Sequence, residues 1–344
     1  MASLPRLGSR LGDTWLDLSG PCAAPAADSC ACLSASLVSA LANPQAWQTP
    51  PPMGLPELRQ ALAARLGLDP AGLAITSGVR GSVRTLTRES GRLIIERPGF
   101  SGIERAGLAS GAHVRAAPWH EILSGFPGEA PATIWLTHPA RNPDGRSLTS
   151  DEQARLSDLT CGHHLLVVNQ TYRWCEQATP PPLGAVLVGS LHKLIGGGVR
   201  LGWLYQEPGL PPLVTGRRPG EPPGPWQAAW AGFIRAGGLE TLADRTLRAA
   251  QARCQRFVAA LGEDRGSAWP YHAGPATVLA WPSPTTQEQL LSAFTAAGVS
   301  AGPGAAFGCP PASVRLSFTG IRDADVADAV RRTRTVIKTI GRPA

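Results

Sequence analysis

Lysine is almost absent from this chain: of 32 basic residues in 344, only Lys193 and Lys338 are lysine. Alanine, glycine, proline and arginine are abundant instead, as a GC-rich coding bias produces. Such a bias exchanges lysine for arginine wherever either residue serves. A lysine retained in mid-chain is therefore a candidate for a task that a guanidinium cannot perform. Forming an imine is one such task, because a guanidinium stays protonated whereas an ammonium can lose its proton. Lys338, in a helical pattern near the C-terminus, reads as an ordinary surface residue.

Other absences narrow the function classes. No stretch approaches the roughly 20 apolar residues of a membrane span, so no membrane association is expected. The first arginines are not followed by an apolar run, which speaks against a secretory signal. The net charge of +7 comes without a basic tract interleaved with aromatics, so nucleic acid is not the expected partner. The positive field suits an anionic cofactor or substrate. The seven cysteines (Cys22, Cys30, Cys32, Cys161, Cys175, Cys254 and Cys309) are scattered. They match no zinc or redox spacing and read as reduced thiols in a cytoplasmic protein without a bound metal.

What is present points to an α/β fold. Hydrophobic residues make up 43% of the chain and charged ones 17%, enough for a real core. Leu55, Leu58, Leu62 and Leu66 recur at helical steps, with Pro56 suited to the first turn. Short apolar runs then alternate with helical stretches. They are predicted as strands at 73–76, 92–96, 113–118, 133–138, 164–169, 185–190 and 201–205. Runs buried on both faces and separated by helices imply a mostly parallel sheet between helices. A Pro/Gly-rich linker with Arg217 and Arg218 spans 206–225. A long helix is predicted over 226–262, then a smaller α+β region with strands at 277–281 and 314–318 and helices at 286–297 and 323–340. In parallel sheets functional loops lie at the carboxyl ends of the strands, where Ser77, Gly78, Phe100, Asn142, Asn169 and Ser190 cluster.

Seven segments in order resemble the class I/II, fold-type I family of pyridoxal-phosphate-dependent aminotransferases. They are Gly54-Leu-Pro-Glu-Leu-Arg59, Ile75-Thr-Ser-Gly78, Glu96-Arg-Pro-Gly-Phe100, Asn142-Pro-Asp-Gly145, Asn169-Gln-Thr-Tyr172, Ser190-Leu-His-Lys193 followed by Arg200-Leu-Gly202, and Val314-Arg-Leu-Ser-Phe318. The resemblance implies pyridoxal 5′-phosphate as cofactor, an amino acid and a 2-oxo acid as substrates, and a homodimer. It implies a large domain over 45–235, with a seven-stranded sheet, and a small domain from 1–44 and 236–344. Lys193 is then the Schiff-base lysine and general acid/base. Ser77, Gly78, Val79, Arg80, Ser190 and Arg200 hold the phosphate, a dianion suited to backbone N–H groups at a helix start and to a guanidinium. Phe100 stacks on the ring, Asn142 and Tyr172 hydrogen-bond the phenolic oxygen, and Arg315 grips the substrate carboxylate with a two-pronged salt bridge. Trp47, Trp119, Trp174 and Trp203 are candidates for shaping a pocket, Trp47 as an aromatic lent across the dimer.

Three departures from the family pattern stand out. Asn169 replaces the aspartate under the pyridine nitrogen, His192 replaces a small residue before the lysine, and the interval from Lys193 to Arg200 is one residue short. His192 reads either as a proton relay or as a space-filler. Besides transamination, Asn169 keeps open a lyase or cyclase of specialised metabolism, similar to capreomycidine synthase, and a catalytically weakened family member.

Overall fold

The computed structural model describes residues 15–20, 27–87, 90–126, 130–160, 164–175, 184–210, 213–214, 221–266 and 269–343. Cys22, Cys161, Arg217 and Arg218 lie outside them. The strands are β1 (Leu16–Leu18), β2 (Leu73–Thr76), β3 (Arg92–Arg97), β4 (His113–Pro118), β5 (Thr133–Thr137), β6 (Leu165–Asn169), β7 (Val186–Ser190), β8 (Gly202–Tyr205), β9 (Ala276–Ala280), β10 (Val299–Pro303) and β11 (Ser313–Ser317).

The larger sheet runs β2-β8-β7-β6-β5-β3-β4. Its central apolar runs alternate between two cores. Ile94, Ile134, Leu136, Leu166, Val168 and Leu187 face one, while Leu93, Ile95, Trp135, Val167, Val186 and Val188 face the other. Alternating positions point to opposite faces, and both faces are apolar because both are covered. All pairings are parallel except those of β8, which runs antiparallel to β2 and β7. Gly202, at the amino end of β8, pairs with Thr76 and Ser190 at the carboxyl ends of its neighbours. The reversal therefore delivers Arg200, two residues earlier, to the edge where the functional loops gather.

The smaller sheet runs β1-β10-β11-β9. Phe257, Leu290, Phe294, Val330 and Ile337, from helices Ala249–Leu261, Gln287–Ala296 and Val326–Ile340, cover it. Two of its strands, β1 and β10, lie outside the predicted set, and β1 pairs parallel to β10.

The stretch 226–262 differs from the expected single helix. It divides into Gly224–Arg235, Gly238–Ala243, a π-turn at Asp244–Arg248 and Ala249–Leu261. Gly237 sits at the break with φ of +80°, a conformation open to glycine at no steric cost. The helix Ala27–Ala42 packs beside the larger sheet. Its Leu33, with Leu239, Leu242 and Leu247, joins the core under helices Pro56–Leu66 and Gly224–Arg235 beside the larger sheet. These segments follow their apolar faces to the larger unit. No described helix is long and apolar enough to cross a membrane, and the described residues contain no metal-ligating cluster. The five described cysteines are free thiols.

Candidate active site

The carboxyl edge of the larger sheet opens into a cavity. All eleven residues assigned to cofactor binding from sequence line it, together with Thr137, Thr171, His192 and Gly197. They arrive from several strand ends, so residues over a hundred positions apart in sequence meet at one place.

One end of the cavity is built for an anion. β2 stops at Thr76, and helix Val79–Thr87 begins three residues later. The free N–H groups of a helix start attract negative charge. Gly78 makes the corner at φ of +99°, where a Cβ would also lie 3.3 Å from Ser190 Oγ. Ser190 Oγ donates to Leu201 O at 3.3 Å and lies 3.0 Å from His192 Nδ1. Arg80 and Arg200 line the same wall. Arg200, exposed and at φ of +46°, follows the Gly196-Gly197-Gly198 turn. A Cβ on any of those three glycines would meet nothing within 4 Å.

Lys193 sits in the short helix His192–Ile195 that follows β7 and lines the cavity. His192 has its pKa pushed down to about 3 by burial, then by the charges of Lys193 and Arg80. It is a neutral imidazole beside Ser190, which does not fit a group that must cycle through a charged form at neutral pH.

The loop after β5 brings Asn142 into the lining. Its buried Oδ1 has no protein partner, so nothing opposes turning the amide over to present its NH₂ to a ligand oxygen. The loop is braced behind that amide. Arg141 pairs with Asp144 through Nε at 3.0 Å and stacks 4.5 Å above the Trp119 ring. Gly145, at φ of +74°, lies so close to Ala273 that a Cβ would fall 1.6 Å from its carbonyl oxygen. Tyr172 is buried and shared between the cavity and a small adjoining recess.

Arg315 lines that recess and not the main cavity. It is fully inside the protein, its guanidinium 5.0 Å over the Phe307 ring and its Nε without a partner. Burial pushes its pKa below the usual arginine value, opposed by the Tyr172 phenol beside it. Of the four tryptophans considered for the pocket, none lines it. Trp174 and Trp203 form an edge-to-face pair in the core, Trp119 is buried, and Trp47 is 65% exposed.

Sequence reasoning missed Thr137 and Thr171. Both follow the carboxyl-end rule, but a lone threonine carries no spacing signature. It also missed the role of Glu96, which is buried behind Thr137 and accepts from Trp119 Nε1 at 2.7 Å. Burial pushes its pKa up to about 7, against the opposing effects of Arg141, Thr137 and Trp119. Because the folded value lies above the ordinary 4.5, the folded protein holds this proton more tightly. The stabilising effect is full below pH 4.5 and lost as pH rises to about 7, an amplitude of about 3 kcal/mol. Glu96→Gln should remove this decline. Urea unfolding at pH 5 and pH 8 checks it, and an unchanged pH slope in the variant would refute the assignment.

The family model described as aminotransferase class I and II matches residues 20–332. Histidinol-phosphate aminotransferase of Rhodospirillum centenum is 30% identical over 180 residues, covering 46% of this chain and 49% of that protein. The chain thus spans about half the length of the curated relatives it matches. Among solved structures, α-aminoadipate aminotransferase LysN of Thermus thermophilus, complexed with N-(5′-phosphopyridoxyl)-L-leucine, is similar in fold. It has a TM-score of 0.76 at 20% identity, over 95% of this chain and 93% of that one. Kynurenine aminotransferase of Pyrococcus horikoshii is similar too, with a TM-score of 0.78 at 18% identity over 96% and 92% of the two chains.

Proposed function

Since the chain belongs to the class I and II aminotransferase family, we propose that it is a pyridoxal-phosphate enzyme moving an amino group from an amino acid to a 2-oxo acid. One observation carries the reading: Lys193 shares a single cavity with a helix start, two hydroxyls and two guanidiniums suited to a phosphate. When bound, the cofactor supplies an aldehyde that takes up the amino group and a ring that spreads the charge left at Cα.

The residues divide the remaining work. Lys193 provides the amine that holds the aldehyde carbon and, once released, carries the proton to and from Cα. Ser77, Gly78, Val79 and Arg80 meet the phosphate with N–H and O–H donors, and Ser190 and Arg200 close on it. Phe100 would offer the ring an apolar face. Asn142 and Tyr172 hold the phenolic oxygen, and Arg315 takes the substrate carboxylate. Tyr172, which borders both spaces, couples the cofactor end of the site to the carboxylate end.

The assembly is proposed to be a homodimer, which would cover the exposed Val38, Leu41 and Trp47. The free thiols support a cytoplasmic setting. A lyase or cyclase reading of the same site is favoured by Asn169, and product analysis separates the two. Purified protein loaded with pyridoxal phosphate is to be screened with single amino acids and 2-oxo acids. Transfer predicts a new amino acid in equal amount to the 2-oxo acid formed. Release of ammonia or ring closure without a second amino acid would favour the alternative, and no cofactor uptake would overturn both.

A further inference from the structure

Asn169 is held in one orientation. Its Oδ1 accepts from the Thr171 backbone N–H at 3.1 Å and from the Thr171 hydroxyl at 2.7 Å. Its Nδ2 donates to Thr137 Oγ1 at 3.4 Å. Turning the amide over would set its NH₂ against the Thr171 N–H, donor against donor. The oxygen is thus fully engaged, and Nδ2 keeps one N–H uncommitted at the cavity wall. The Thr171 hydroxyl is used on Asn169, and that of Thr137 is used on Glu96.

This inference rests on the function proposed above. A phosphate at the helix start, an aldehyde carbon at Lys193 and a phenolic oxygen at Asn142 and Tyr172 leave one polar atom of the cofactor, its ring nitrogen. At the carboxyl ends of β5 and β6, where the hydroxyls of Thr137 and Thr171 are already used, they leave the uncommitted N–H of Asn169. A donor requires an acceptor, and the nitrogen accepts only when it carries no proton. We propose that Asn169 donates to the ring nitrogen and that the cofactor is bound with this nitrogen unprotonated.

The surrounding charges agree. Among the described lining residues there is no carboxylate, and the charged ones are the cations Arg80, Lys193 and Arg200. Opposite charge at short range is what would stabilise a protonated nitrogen, and like charge opposes it. The other titratable groups lining the cavity are Tyr172 and His192. Of the buried carboxyls nearby in the fold, Glu96 is engaged with Thr137 and Trp119, and Asp144 with Arg141. A ring without its proton accepts less of the charge left at Cα, so the site is set to restrain that charge.

The test uses the holoenzyme reconstituted with pyridoxal phosphate labelled with ¹⁵N in the ring. The wild-type ¹⁵N shift should match an unprotonated pyridine throughout the pH range of the folded protein. Asn169→Asp, whose carboxylate can keep both Thr171 bonds and add a charge, should move the shift to the protonated range. The 1-deaza analogue, with C–H in place of the nitrogen, should bind the wild type about tenfold more weakly or worse. A protonated ring in the wild type, or equal affinity for the analogue, would overturn this inference while leaving the enzyme reading intact. Failure of the wild type to bind pyridoxal phosphate would overturn both.

Discussion

Lys193→Ala is expected to abolish turnover, with a loss of at least about 10²–10⁴-fold from the missing proton carrier alone and more from the missing covalent link. The lysine stands at the start of a short helix, against the cavity that Ser77, Ser190 and Arg200 also line. Treatment of the loaded wild type with borohydride should fix the cofactor to a single peptide containing Lys193, as mass mapping would show. The alanine variant should give no such adduct. It should still bind the cofactor, because the residues proposed to hold the phosphate are untouched. Lys193→Arg is the sharper comparison. It keeps positive charge and length, yet a guanidinium does not give up its proton to become a nucleophile. Equal loss in both variants assigns the effect to amine chemistry. A trapped adduct in either variant, or retained turnover, would show that another residue holds the cofactor.

Arg315→Ala should cost carboxylate-bearing substrates about 2–4 kcal/mol, the scale of losing one side of a hydrogen-bonded charge pair. In kcat/KM this corresponds to roughly 30- to 700-fold. Arg315 is buried, with Nε unpartnered, and Gly20 approaches so closely that a Cβ there would lie 2.5 Å from Nη1. The side chain is buried and closely packed, so it has little rotamer freedom to lose when a carboxylate binds. Arg315→Lys should recover part of the loss, since it restores the charge without the two-pronged geometry. The comparison that decides is an amino acid against its decarboxylated amine. The amine should react with wild type and variant at similar, low rates. Parallel losses on both would mean that Arg315 supports the fold and not the carboxylate.

Much of this architecture was readable from residue patterns, for definable reasons. The central strands are continuous apolar runs because both faces are covered, and a run of five such residues between turns has few other readings. The strands of the smaller sheet that escaped notice have weaker signals. β1 is three residues long, and β10 reads Val-Ser-Ala-Gly-Pro, poor in strand-favouring side chains. The direction of β8 is invisible in its sequence, since an apolar strand reads alike either way, yet this direction places Arg200. Lys193 was conspicuous because the composition left so few lysines. Arg315 was assigned from its motif, but its position in an adjoining recess depends on how the two sheets meet. Thr137 and Thr171 were not legible, because their importance lies in which atoms of Asn169 they occupy. The asparagine itself could be named from the chain, whereas the direction of its hydrogen bonds required two neighbouring strand ends to meet.

The Gly196-Gly197-Gly198 turn has a thermodynamic consequence for the guanidinium that follows it. Nothing packs near these glycines, so little besides hydrogen bonding restrains the backbone leading to Arg200. Glycine loses more conformational freedom on ordering than any other residue, and that loss is settled wherever the segment becomes fixed. If it is fixed when an anion reaches Arg200, the entropy of ordering offsets part of the charge attraction. Affinity at this end of the cavity would then be weaker than its charges suggest, and it would fall more steeply with rising temperature.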